Sequence, residues 1–503
     1  SMARDLEAGT STLLWIVNGY TLILAGLLLA AGTTGDRFGR RRFLALGLLI
    51  FGAGSAGAAL SSDANLLIGM RGVQGAGAAL IFPATLSIIT NVFARQERAL
   101  AIGIWAASTG LGIAVGPLVG GALVDEFSWP AVFWMLVPAC GALLVGLLIV
   151  PDSRDRRRRR LDAPGAVLAT LGLLALVYGI IEGESAGWTS AEILIAFAAG
   201  VGFLAAFIAA EARSNDPMLP LHFFRQRDFN GGVFTIFFVA FALMVVLFFL
   251  VLFLQVVQGK SAFAAGLQML PMAGMMIVGA PISGLLVGKV GPKLLIVLAM
   301  VVMFAGVVWL TRLDVDSSYL EVVIGLLAFG FGGGMAMAPM TDTVMAAVPV
   351  DDAGIGSAIN DVMRELGAAL GIAVTGTVVA SLYVSQVTAD LTGVVPPEIV
   401  ASVADGIALA AVVAQQLEPG LGLSVQDAAG AAFVDAFTTG FWISAGFMAA
   451  AAVLAIFLIP LRMRTTQATA LDPVTPVPVG ARYAPQKRAA LEPAPAPAIG
   501  GAD

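Results

Sequence analysis

Gly32-Thr33-Thr34-Gly35-Asp36-Arg37-Phe38-Gly39-Arg40-Arg41-Arg42-Phe43-Leu44 joins two long apolar runs through a short, glycine-tight, basic turn. It puts a carboxylate and a cluster of arginines at the elbow between two helices. Charge of that density is costly in hydrocarbon, so the elbow belongs at one face of a bilayer.

Composition agrees. Of 503 residues, 59% are hydrophobic and only 12% are charged, and mean hydropathy is +0.93. A soluble chain carries about 25% charged residues. The net charge of −6 says little, because the charges are segregated by membrane side. Cys140 is the one cysteine and His222 the one histidine, which excludes an intrachain disulfide and any Cys- or His-cluster metal site. His222 lies in Pro217–Phe224, an interfacial segment between spans. No G-x-x-x-x-G-K-[ST] loop occurs, so nothing supports ATP-driven chemistry, and no catalytic constellation suggests an enzyme.

A spanning helix needs about 20 mostly apolar residues. Such runs fall at 13–33, 42–60, 65–90, 99–123, 129–150, 164–183, 190–211, 229–258, 262–287, 293–312, 318–347, 353–383 and 431–460. They are continuous rather than alternating, which predicts an all-α integral membrane protein of about thirteen spans, not a barrel. Alternate loops hold Arg37 and Arg40 to Arg42, then Arg95 and Arg98, Arg154 and Arg156 to Arg160, Arg213, Arg225 and Arg227, then Lys289 and Lys293. The other side holds Arg4, Lys260 and Arg312. This bias puts the arginine-rich loops and the C-terminus in the cytoplasm of a cell with an inner membrane. An odd number of spans then leaves the N-terminus outside, and the expectation is that a first span is missing ahead of Ser1.

The chain divides into an N-terminal bundle over 1–150 and a central pair of extra spans with their linkers over 151–228. A C-terminal bundle follows over 229–464, with an external loop at 384–430, and then a Pro/Ala-rich tail over 465–503 of disordered composition. The second bundle echoes the first. Gly284-Leu285-Leu286-Val287-Gly288-Lys289-Val290-Gly291-Pro292-Lys293 is a worn copy of the opening turn, with Gly288 where Asp36 stands. The stretch from Gly330 to Pro339 echoes the one from Gln74 to Pro83. Internal symmetry of this kind is typical of transporters whose substrate site lies between two halves.

Four motifs, in order, carry a family resemblance. The opening turn resembles the loop signature G-x-x-x-D-R-x-G-R-R of the major facilitator superfamily. Leu67 to Gly77, with Arg71 and Gln74, resembles its fourth-helix signature. Gly112-Ile113-Ala114-Val115-Gly116-Pro117-Leu118-Val119-Gly120-Gly121 resembles the fifth-helix signature of its antiporters, in which glycines four apart allow close helix approach and Pro117 bends the helix. Ser357 to Gly371 is similar to a late span of the fourteen-span QacA/EmrB type of drug:proton antiporter. That type usually has Asp in Trp-[VI]-Val-Asp-x-Tyr, where this chain has Trp15-Ile16-Val17-Asn18-Gly19-Tyr20.

The resemblance implies the major facilitator fold, two helical bundles with two extra central spans. It also implies alternating access and export of amphipathic drug-like compounds in exchange for protons. Its partners are then a small-molecule substrate, protons and the bilayer, with no cofactor, metal or nucleic acid. A narrow exporter of one secondary metabolite and a degenerate, non-transporting membrane protein are the alternatives. Substrate, stoichiometry and oligomeric state are not legible.

Ionisable groups within spans are expensive and seldom idle. Arg71 either serves proton coupling, as the resemblance implies, or bridges helices through carbonyls. Asp361, Arg364 and Glu365, at i, i+3 and i+4, share one helix face. Asp361 either joins Arg364 in a static pair or takes part in coupling. Asp342 and Glu365 are the better proton carriers, unless Asp342 lies in the cytoplasmic interface. Asn18, Tyr20, Gln74 and Asn360 are candidates for the substrate cavity. The resemblance gives Gly32, Asp36, Arg37, Gly39 and Arg40 the role of a cytoplasmic latch, docking Asp36 on the helix start at 353–357 with Arg98 nearby.

Overall fold

The computed structural model describes residues 2–6, 8–92, 112, 115–116, 118–150, 162–214, 217–348 and 353–461. These are helical apart from turns and short links. Twelve helices among them are long and apolar enough to cross a membrane. They are α1 (Thr10–Phe38), α2 (Arg40–Ala59), α3 (Ala64–Val92), α5 (Pro130–Gly146), α6 (Ala163–Ala186), α7 (Ala191–Arg213) and α8 (Arg227–Leu252), then α9 (Ala262–Val290), α10 (Pro292–Leu310), α11 (Tyr319–Ala346), α12 (Ala353–Leu391) and α15 (Pro419–Leu458). Between α3 and α5 the described part of a further helix, α4, covers 118–126; the rest of the run expected at 99–123 lies largely outside the described residues.

The ends of these helices follow local chemistry. The Asp162 side chain accepts from Gly165 N, Ser190 from Ile193 N and Ser261 from Ala264 N, satisfying amides that a helix start leaves free. Ser318 and Glu321 form a reciprocal capping box at α11. The expected external loop is largely helical: α12 and α15 run into it, and the short helices α13 (Pro397–Ala404) and α14 (Ile407–Gln416) fill the space between them. The Tyr383 hydroxyl donates to Val403 O at 3.0 Å, tying α13 to α12.

The sequence echo is a structural repeat. Gly39 alone joins α1 to α2 with φ 108°, and Gly291 alone joins α9 to α10 with φ 88°, a backbone region that glycine reaches without a Cβ clash. We call the side of the bundle holding both glycines the elbow end. The glycine-rich helices then fit the same way in each half. A Cβ on Gly75 would lie 2.4 Å from Tyr20 O of α1, and one on Gly77 2.5 Å from Phe51 N of α2. In the second half, Gly330 and Gly334 of α11 abut Met272 O and Met276 O of α9, at 2.2 and 2.3 Å, and Gly332 abuts Ala299 O of α10 at 2.7 Å. Without a strong hydrophobic drive between helices in lipid, such close backbone packing supplies much of the association.

Candidate functional site

Two seams join the halves. Along the first, α1 lies on α12, with Leu14 of α1 filling the space above Gly376, and Val362 packing among Leu24, Leu28 and Ala31. Charged groups of α3 and α12 come within electrostatic range of Tyr20 of α1 at this seam. Arg71 of α3 donates from Nε to Ile16 O at 3.0 Å and from its terminal nitrogen to Gln74 Oε1 at 3.0 Å. Its guanidinium lies 4.5 Å from the centre of the Tyr20 ring. Gln74, fully buried, donates in turn to Ser55 Oγ at 2.8 Å. Arg71 therefore sits in a chain of neutral acceptors and one aromatic face.

The partner half supplies the opposite chemistry. Arg364 of α12 pairs with Asp361 at 3.0 Å and with Glu365 at 3.6 Å; the arginine side chain is 32% exposed and the two carboxylates 15% and 16%. Tyr20 is within electrostatic range of Glu365, Arg364 and Arg71 at once. The phenol thus faces Arg71 of its own half and interacts electrostatically with the Arg364 group of the other. Asn360 donates weakly to Thr341 Oγ1 at 3.4 Å, linking α12 to α11.

Other candidates lie elsewhere. Asn18 is fully buried and donates to Leu14 O, and its Oδ1 has no partner among the described residues. It stands between Leu14 and Leu22 on the face packed against Val177, Ile181, Ala369 and Ala373, away from Arg71. Asp342 is exposed near the C-terminal end of α11, outside the Arg364 group. His222 is exposed beside Phe223. The side chains of Asp36, Arg37 and Arg40, the surroundings of Gly32, and all of Arg98 and Pro117 lie outside what the structure describes, so the cytoplasmic latch is untouched by it. Gly112, Gly116 and Gly120 have no described heavy atom within 4 Å of an added Cβ, whereas Gly121 is tightly approached, with Ala262 O at 2.5 Å. Among the described residues, Gly121 is the glycine of that motif with a close approach.

Sequence reasoning passed over two carboxylates. Glu182 of α6 accepts at one oxygen from Ser11 Oγ and Trp15 Nε1, both at 2.8 Å, and Thr377 of α12 donates to Ile180 O at 2.9 Å. The first extra span is tied to both halves. Asp125, at the end of α4, accepts from Ala262 N at 3.0 Å and Phe263 N at 2.9 Å, across the second seam. Desolvation raises its affinity for a proton, but the hydrogen bonds from Ser261, Phe263 and Ala262 outweigh it and hold the carboxyl below its ordinary range. The Ser261 cap at the start of an apolar run was the signal available for Asp125; nothing in the local sequence marks Glu182.

The family model described as Major Facilitator Superfamily matches residues 1–372. The chain is 36% identical over 438 residues to the multidrug efflux pump LfrA of Mycolicibacterium smegmatis, covering 86% of each chain. It is 34% identical over 383 residues to the tetracenomycin C resistance and export protein of Streptomyces glaucescens, covering 76% of this chain and 71% of the relative. In fold it resembles a bacterial homologue of the lysosomal transporter Spinster, solved inward-facing and occupied, at a TM-score of 0.59, with 17% identity and 91% and 90% of the two chains covered. With its multi-pass helical architecture and its repeated halves, this chain belongs to the major facilitator superfamily and is a membrane transporter, not an enzyme.

Proposed function

We propose that the protein exports amphipathic, drug-like compounds across the cytoplasmic membrane in exchange for protons, by alternating access of its two halves. The observation that carries this reading is the Asp361–Arg364–Glu365 group on α12, set within electrostatic range of Tyr20 on the other half. Carboxylates held at low dielectric by one arginine respond strongly to hydration and to partner distance. A change in the spacing of the halves therefore changes their hold on a proton. The names of the relatives, multidrug efflux and antibiotic export, support the substrate class. The central pair α6–α7 supports the fourteen-span QacA/EmrB type. The lysine and arginine bias supports a cytoplasmic elbow end and C-terminus.

The test is substrate-driven proton movement in proteoliposomes with an imposed pH gradient. Ethidium-like cations should dissipate the gradient with the parent chain and not with Glu365→Gln. A parent chain that moves substrate without protons overturns the coupling.

A further inference from the structure

We propose that Asp125 is a positioning residue for transport: an outer latch that holds the extracellular ends of the two halves together by capping the start of α9. The inference rests on the alternating-access reading and on the cytoplasmic assignment of the elbow end, which leaves Asp125 and Ser261 outside.

The geometry is specific. Both oxygens of Asp125 are engaged, Oδ1 by Ala262 N and Oδ2 by Phe263 N, the first backbone amides of a 29-residue helix. Ser261 caps the same turn through Ala264 N and also bonds the carboxylate. Four free amides and the positive end of the helix dipole favour an anion there. In most helices that anion comes from the same chain segment; here it arrives from a residue 137 positions away, on the opposite half.

Gly121 explains how it reaches. It lies one turn before Asp125 and so on the same face of α4. A Cβ there would stand 2.5 Å from Ala262 O and 2.7 Å from Phe263 Cα, so any larger residue separates the helices. The antiporter-motif glycine that packs closely is the one that seats the carboxylate. Asp125 is exposed, so water screens the contact. A latch that must open in every cycle needs that weakness.

The second seam offers an independent reporter. Leu14 is 1% exposed and closed over by α12 at Gly376, on the same outer side but on the other seam. In full-length protein carrying Cys140→Ser and Leu14→Cys, reconstituted in liposomes, labelling by a membrane-impermeant maleimide reports opening of the outer face. Losing a charged helix cap shifts a two-state balance about fivefold. Asp125→Ala should therefore raise the labelling rate about fivefold, and Gly121→Ala should raise it as well. Asp125→Asn, which still offers an acceptor, should return the rate most of the way to the parent. Unchanged labelling in Asp125→Ala, or equal labelling in Asp125→Ala and Asp125→Asn, overturns the latch even where proton-coupled efflux persists. The expected labelling pattern in a protein that moves no protons keeps the latch and removes the coupling instead.

Discussion

Arg71 and Arg364 are both arginines inside membrane spans, and they are provided for in opposite ways. Arg71 rests on a backbone carbonyl, an amide and a ring, none of which changes charge near neutral pH. Arg364 is held by two carboxylates, each able to take a proton. On the function proposed above, the first arrangement serves as a fixed support between α1 and α3 and the second as a store of exchangeable charge. Mere presence of an intramembrane arginine does not distinguish them; the partners do.

The strongest way to break this comparison is Arg364→Ala. It leaves two carboxylates together in a poorly hydrated site, so stability should fall by about 2–4 kcal/mol and efflux should be lost; thermal unfolding in detergent and vesicle efflux check both. Glu365→Gln should come next, abolishing proton-coupled efflux with normal expression, while Asp342→Asn, lying outside the group, separates the two carriers expected from sequence. If Asp342→Asn alone uncouples, the store of charge is on α11 instead.

Arg71→Lys keeps the charge but loses the planar fork that reaches Ile16 O and Gln74 together. Its initial efflux rate should drop about tenfold, equivalent to about 1.4 kcal/mol, without loss of the proton requirement. A changed proton requirement would make Arg71 part of the coupling. Tyr20→Phe retains the ring under Arg71 and should cost little, whereas Tyr20→Leu should weaken transport by the worth of a cation–π contact, about 1 kcal/mol.

The smallest effect concerns pH at the outer face. The Asp125 carboxyl is held low, so its contribution is fully present above the ordinary carboxylate pKa, about 3.9. It is lost only as pH falls through the lower folded value. Leu14→Cys labelling, divided by the rate for a free thiol at the same pH because only the thiolate reacts, should stay flat from neutrality to about pH 5. Its charged sequence neighbours are Glu126 and, before α9, Lys260; a rise in labelling near neutrality would assign the titration to another group.

Most of the fold was legible because lipid leaves few choices: long apolar runs must be helices, and the repeated glycine patterns announced two similar halves. The Asp361–Arg364–Glu365 group was legible from helical spacing alone. What escaped were contacts between distant segments. The choice of Arg71's partners depends on Ile16 and Tyr20 of α1, and Asp125 and Glu182 gain meaning only from residues more than a hundred positions away. Asn18 had the right motif position, but its helix face turns it toward α6 and α12.

The first extra span carries a mechanical implication. Among the described residues, α6 is bonded to α1 through Glu182 with two donors and to α12 through one hydrogen bond, from Thr377, beside the apolar packing of Val177 and Ile181 on Ala369 and Ala373. When the outer ends of α1 and α12 part, one of these attachments has to yield, and the single bond is the weaker. In the alternating-access cycle proposed above, α6 then stays with the N-terminal bundle as a passenger, and its face toward α12, around Ile180 and Thr377, is the one that moves.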